Sequence, residues 1–369
     1  MKNTFGSSVT VTLFGESHGT AIGAVLDGLA PGIPVDEAFV ARQLALRRPE
    51  AGIGTARREE DRAELVSGVF KGKTTGTPLC VLIRNSDARS ADYEGSSVPA
   101  RPGHVDYTAH EKYHGFEDYR GGGHFSGRLT APLVAVGAIA LTALRGKGIR
   151  IGTHIARCGG VSDRGFNDLS ADITALSDRY FAVLEEARGK AMRAAILSAA
   201  AEGDSVGGVL ETAVTGLSAG IGEPWFDTLE GVLAHILFSI PAVKGVEFGA
   251  GFAAAELRGS ENNDAFYRES DTIRTKTNHS GGINGGISNG MPLLFRCAVK
   301  PTPSIAKPQE TVDLTTGRNM ELSVRGRHDP SIVPRARVAV DSAAALALCD
   351  MLALRYGTDW LAGKSGFAR

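Results

Sequence analysis

Residues 129–144 read LTAPLVAVGAIALTAL, a run without one charged side chain. It is long for a strand, and a helix that is apolar on nearly every face must be covered on more than one side. It falls short of the roughly 20 residues that a bilayer span requires. A second helix of the same kind is expected from Arg335 to Arg355, through Val338-Ala339-Val340 and Ala343 to Leu348. Two such helices among many alternating segments predict an α+β sandwich. A buried helical layer lies between two largely antiparallel sheets, and a doubly wound parallel fold is excluded.

The flanking segments supply the layers. Ser8 to Phe14 alternates polar and apolar residues, and Ala21 to Leu26 is a small, branched apolar run, so both read as strands. Further strands are expected at 65–70, 78–84, 149–155, 207–215, 245–252 and 291–299. Amphipathic helices are expected over Val35 to Arg48, Asp178 to Glu202 and Phe226 to Phe238. Residues 85–127 carry little periodicity and many Gly, His, Asp and Arg residues, the mark of a long functional loop region. No Pro- or Ser-rich linker interrupts the chain, so 1–369 is read as a single domain.

Composition narrows the partners. With 43% apolar residues the chain can bury a sizeable core, and 40 basic against 41 acidic residues give no bulk attraction to nucleic acid or an anionic membrane. An anionic ligand must therefore be caught locally. Cys80, Cys158, Cys297 and Cys349 stand far apart with no CxxC pair, which fits a reducing, cytoplasmic setting. The 47 glycines exceed ordinary usage, and they cluster in loops.

Two matches are decoys. Gly68 to Thr74 imitates a phosphate-binding P-loop but has three residues between its glycines where four are needed, and a strand follows it. His110-Glu111-Lys112-Tyr113-His114 has the HExxH pattern, yet Pro102-Gly103 and Gly115 leave no room for the long helix that zinc ligation requires.

Other loops carry chemistry. The bend Phe14-Gly15-Glu16-Ser17-His18-Gly19 holds three polar side chains where a turn needs only glycine. Ser17 and His18 adjoin in sequence, which argues against a nucleophile–base pair but lets them face one ligand. Arg101-Pro102-Gly103-His104 is a stiff turn with a cation and an imidazole. Arg120 to Arg128 runs from three glycines straight into the first apolar helix, whose free N–H groups suit an anion as well as they suit a tight loop. Asn278 to Gly290 is a second glycine-rich loop that suits a planar ligand. Lys300 to Ser304 follows at a strand end, and Arg325 to Pro330 precedes the second apolar helix, where Arg beside Asp also fits a structural ion pair.

Taken together, Gly15 to Gly19 with Asp27-Gly28, Arg101 to His104, Asp118 to Gly123, Glu202 to Ser205, Ala242 to Glu247, Asn278-His279, Lys300 to Thr302 and Gly326 to Pro330 resemble the chorismate synthase family along nearly the whole chain. The resemblance implies conversion of 5-enolpyruvylshikimate 3-phosphate to chorismate and phosphate, by an anti-1,4-elimination that needs reduced FMN without net oxidation. It implies that His18 protonates or stabilises the departing phosphate. His104 keeps the reduced flavin in its working protonation state, and Asp329 assists proton removal. Ser17, Arg47, Arg101, Arg128 and Arg327 match substrate-binding positions. Arg47 also matches an NADP-binding one. His124, Phe125, Ser126, Ala242, Gly285, Lys300, Pro301, Thr302, Pro303, Ser304 and Arg327 fall where the family lines its flavin site.

The resemblance further implies a homotetramer, with the flavin reduced by NADPH or by an external reductase. The chain departs from the family's common pattern at His124-Phe125, Gly127 and Pro241. An arginine usual just after Arg47-Arg48-Pro49 is missing, and Arg57 or Arg58 is the candidate substitute. Two rival readings are a flavin-free lyase acting on another phosphorylated sugar acid and a non-catalytic flavin- or anion-binding protein.

Overall fold

The computed structural model describes residues 2–50, 53–54, 61–85, 98–324 and 328–362. The first sheet holds β1 (Thr4–Phe5), β2 (Thr10–Gly15), β3 (Ala21–Asp27), β4 (Ala63–Ser67) and β5 (Leu79–Arg84), in the order β1-β2-β3-β5-β4. The second holds β6 (Arg150–Cys158), β7 (Val161–Ser162), β8 (Gly208–Thr215), β9 (Val243–Phe248) and β10 (Leu293–Val299), in the order β9-β10-β8-β6-β7. Every neighbouring pair in both sheets is antiparallel. Alternation sends Ile22, Ala24 and Leu26 of β3 and Leu79, Val81 and Ile83 of β5 inward, all nearly inaccessible.

The main helices are α1 (Glu37–Arg47), α2 (Asp106–Tyr113), α3 (Thr130–Gly146), α4 (Glu186–Ala201), α5 (Leu229–Leu237) and α6 (Val333–Tyr356). The two apolar runs become α3 and α6, which pack on each other. α3 lies on β3 and β5, and α6 lies on β6 and β8, so the helical layer separates the sheets as the sequence predicts. Fully buried Ile139 and Leu144 each contribute about 1.5–3 kcal/mol of apolar transfer. The helices meet closely at Gly137, where a Cβ would stand 2.2 Å from that of Ser342. The buried carboxylate inside this layer is paired: Arg337 contacts Asp341 at 3.0 Å, and Thr153 donates to the same carboxylate at 2.6 Å.

Some boundaries differ from expectation. The helix expected over 178–202 starts only at Glu186. Phe181, Ala182 and Val183 are buried, and the Ala182 carbonyl accepts from Ile155 N of β6 at 2.7 Å. A separate helix, Leu169–Leu176, forms instead, capped by Asp168 accepting from Ala171 N at 3.0 Å. The strand expected to reach residue 252 stops at Phe248, because Gly249 and Gly251 turn the chain at φ 56°. The region 85–127 is not entirely loop, since it contains α2 and a 3-10 turn over Arg120–Phe125.

Candidate active site

The site is organised by the glycine turn that enters α3. Gly121, Gly122 and Gly123 have φ of 58°, 85° and 52°, a succession that only glycine adopts without strain. Two imidazoles press on it. A Cβ at 121 would meet Cε1 of His18 at 2.2 Å, and one at 122 would meet Cε1 of His104 at 3.3 Å. The turn is pinned to the 14–19 bend by Ser17 N donating to Gly123 O at 3.1 Å and by His124 Nδ1 donating to Gly15 O at 2.8 Å. Ser126 then caps the entry into α3, accepting from Arg128 N at 3.3 Å.

Ser17 is fully buried, and its Oγ lies 3.1 Å from His18 Nδ1, 3.1 Å from Arg120 O and 3.2 Å from Gly121 O. A hydroxyl has one proton. Given to a carbonyl, it leaves Oγ to accept from Nδ1–H, so Ser17 orients the ring and Nε2 is its basic nitrogen. The contact anticipated as unfavourable for a nucleophile is thus a positioning contact.

His104 is oriented from the other side. Its Nδ1 stands 2.8 Å from Asp106 Oδ1, and Arg101 grips the same carboxylate through Nε and Nη2, both at 2.7 Å. Burial alone would raise the Asp106 carboxyl, but hydrogen bonds from Arg101 and His104 outweigh it and hold it well below the usual carboxylate range. An ionised carboxylate only accepts, so Nδ1 carries the proton and Nε2 is left toward the cavities. Arg101 lines neither cavity; its guanidinium serves Asp106.

Two cavities adjoin beyond these rings. The smaller, about 230 Å³, is lined by Arg47, Arg48, Arg128 and Arg335 together with His104, Ser126, Thr302, Ser304 and Asp329. One carboxylate, Asp61, links two of the arginines: Arg47 Nη2 lies 2.5 Å from Oδ2, and Arg128 Nη1 contacts Oδ1. All three side chains are almost wholly buried. Burial, with Arg335 and Arg128 nearby, lowers the Arg47 pKa despite Asp61, and the two guanidiniums override burial to lower that of Asp61. Asp329 is 7% exposed and meets Arg335 Nη2 at 2.5 Å. Among the described residues, Thr302 Oγ1 and Arg47 Nε are buried without a hydrogen-bond partner, polar atoms that a ligand would satisfy.

The larger cavity, about 670 Å³, shares His104, Ser126, Pro303 and Arg335 with the smaller. It extends over Gly121, His124, Phe125, Leu133, Ala242 and Lys300, a volume and an apolar lining with few polar groups that are usual for a cofactor-sized ligand. Ala242 holds φ 75°, a left-handed conformation rare for a residue with a side chain, and its carbonyl accepts from Lys300 N at 3.0 Å. Lys300 Nζ in turn donates to Gly103 O, tying this strand end to the His104 turn.

The remaining sequence candidates fall elsewhere. His18 lines neither cavity and stands behind Gly121. Gly285 occupies an exposed hairpin turn at φ 62° between Ile283–Asn284 and Ile287–Ser288, away from both cavities, and Pro301 is exposed. Arg327, Arg57 and Arg58 lie outside the described residues. In the HExxH stretch, His110 faces Glu117 at 3.3 Å, while His114 takes the left-handed C-cap of α2, off the helix face. Sequence reasoning missed Asp61, Asp106, Arg48 and Arg335. The signal available for Asp106 was its place two residues after His104, whereas Asp61 lies in an irregular charged stretch without pattern.

Comparison with known proteins shows the family of the chain. Residues 9–353 match the model of the family described as chorismate synthase. A chorismate synthase of Korarchaeum cryptofilum is 48% identical over 347 residues, spanning 94% of this chain and 96% of its own. One of Dehalococcoides mccartyi is 49% identical over 360 residues, spanning 97% and 98%. A crystal structure of chorismate synthase superposes with a TM-score of 0.74 at 27% identity, covering 96% of this chain and 94% of that one. The flavin-free lyase and the non-catalytic binding protein gain nothing from these matches. Sequence, fold and relatives place the chain in the chorismate synthase family, carbon–oxygen lyases of the shikimate pathway.

Proposed function

We propose that the two cavities divide the family's reaction between them, the smaller taking 5-enolpyruvylshikimate 3-phosphate and the larger taking reduced FMN. The observation that carries this reading is the convergence of Arg47, Arg48 and Arg128 on a space that also presents His104 and the Arg335–Asp329 pair and adjoins a second, larger cavity. A substrate with one phosphate and two carboxylates needs such a set, because arginine grips each oxyanion through two parallel N–H groups. Arg47 and Arg128 are fixed through Asp61 before any ligand arrives, so little reorganisation accompanies binding.

The residues fit the flavin. Gly121 offers bare backbone, His124, Phe125, Leu133 and Ala242 offer a mixed apolar wall, and Lys300 with Ser126 supplies polar partners. Bound there, the reduced ring supplies the electron density that eases departure of an allylic phosphate. His104, held through Nδ1 by Asp106, maintains the proton balance with its Nε2 where the cavities meet. The resemblance gives His18 the acid role for the leaving phosphate. Because it is oriented by Ser17 behind Gly121 and lines neither cavity, that role requires the Gly121 turn to shift until the ring reaches the phosphate, while Asp329 takes part in removing the ring proton. NADPH, near Arg47, or a separate reductase supplies the reducing equivalents. We read the chain as one cytoplasmic domain that assembles as a homotetramer. Trp225, Phe226 and Phe252 support this, since they are 85%, 93% and 86% exposed on a single chain.

The test is an anaerobic assay with photoreduced FMN and 5-enolpyruvylshikimate 3-phosphate, following phosphate release and chorismate absorbance together. Folded protein that gives neither signal would refute the assignment. His104→Ala or His18→Ala turning over at the parental rate would refute the roles given to the imidazoles.

A further inference from the structure

Arg335 is the one guanidinium among the described residues that lines both cavities. It occupies the third position of α6, in the first turn, where the positive end of the helix disfavours a cation by about 0.3–1 kcal/mol. It also stands close enough to Arg47 to depress that residue's pKa, while its own side chain is only 25% exposed. A guanidinium is thus placed in the first turn of a helix, near a second guanidinium and largely out of water. Its ion partner is Asp329, whose side chain is 6% exposed and meets it at 2.5 Å. Stability by itself gives little reason for such a placement, since a buried pair rarely exceeds a well-packed apolar substitute.

We propose that Arg335 is a positioning residue of the elimination, holding the Asp329 carboxylate at the junction where substrate and flavin cavities meet. An unheld aspartate would be free to turn toward Arg47, Arg48 or Arg128, the other guanidiniums lining the smaller cavity. The contact of Arg335 Nη2 with Asp329 Oδ2 holds the carboxylate at this junction, and the place of Arg335 in the first turn of α6 holds the guanidinium. The inference deepens the assignment above and rests on Asp329 taking part in proton removal.

A double-mutant cycle in the full-length protein tests it, with circular dichroism and thermal melting confirming the fold of each variant. Arg335→Gln is expected to lower kcat about 10²-fold, the usual cost of misplacing a reacting group by an ångström. KM for the phosphorylated substrate should stay within about threefold, because uniform binding is not what is lost. In the Asp329→Asn background the same substitution should lower kcat no further. Arg335→Lys, which keeps the charge without the fork, should recover kcat to within about tenfold of the parent and serves as the probe if the glutamine variant does not fold. Equal losses from Arg335→Gln in both backgrounds would overturn the inference, as would a raised KM at parental kcat or no recovery with lysine. Parental activity of Asp329→Asn alone would overturn the role given to Asp329, and the inference with it.

Discussion

Replacing Asp61 by asparagine separates charge from shape. Asp61 has φ 47°, a left-handed conformation that asparagine adopts readily, so the substitution adds no backbone strain. What it removes is the carboxylate shared by Arg47 and Arg128, whose side chains are 6% and 3% exposed. Breaking a buried pair costs about 3–5 kcal/mol because the surviving charge stays desolvated. Here two guanidiniums lose one partner, and the asparagine NH2 must face one of them, so the upper end, about 5 kcal/mol, is expected. Set against a typical total of about 5–15 kcal/mol, the variant folds at 25 °C with a much lower urea midpoint. Urea unfolding at neutral pH, with and without inorganic phosphate, measures it. Phosphate should restore more stability to the variant than to the parent, since it supplies the missing negative charge to the folded state alone. A loss below about 1 kcal/mol, the scale of an exposed pair, would refute the reasoning, as would an equal response to phosphate in both proteins.

The other predictions concern geometry and pH. Gly121→Ala should cost about 1–2 kcal/mol for the left-handed φ; its Cβ, 2.2 Å from His18 Cε1, should displace that ring. The kcat loss should approach that of His18→Ala, about 10²–10⁴-fold, and parental turnover in steady-state kinetics would show that the glycine does not set the ring. Asp106→Asn should lower kcat by a comparable factor, because an amide no longer dictates which His104 nitrogen carries the proton; unchanged kinetics would remove Asp106 from the site. His154 is fully buried: burial opposes its charge, but hydrogen bonds to Asp163 at 3.2 Å and Glu211 at 3.0 Å outweigh it and raise its pKa. Its stabilising contribution is therefore complete below the unfolded histidine pKa and is lost as pH rises through the folded one. Melting temperature should fall over that window in the parent and stay flatter in His154→Gln, and parallel curves would disprove the linkage.

The two core helices could be read from sequence because burial on all sides leaves a compositional mark, visible in 129–144 and 335–355. The glycine turn at 121–123 was readable for a similar local reason, as were the strands on either side of the 14–19 bend. The truncated α4 was not readable, because Phe181 to Val183 is held by a hydrogen bond to β6 that no local pattern announces. Asp61 and Arg335 belong to the same class. Asp61 gains its meaning from partners 14 and 67 residues away and Arg335 from its place between two cavities, and an acidic or basic residue on the chain looks the same whether it clamps a site or faces water. Gly285 carries the opposite lesson: a glycine-rich loop looks ligand-bound on the chain, yet here an Asn-Gly-Gly hairpin accounts for it within one subunit.

Where α3 and α6 touch, Gly137 brings the backbone of α3 directly against the small side chain of Ser342. Both rods emerge from that contact and begin at the ligand spaces, one just past Arg128 and the other around Asp329 and Arg335. The spacing between the groups that grip the substrate is thus set like the jaws of pliers, by the rivet behind them. Adding even one methyl group at the rivet should open the jaws, so that an alteration deep in the apolar interior, touching no ligand, reads out as weakened substrate capture before it reads out as unfolding.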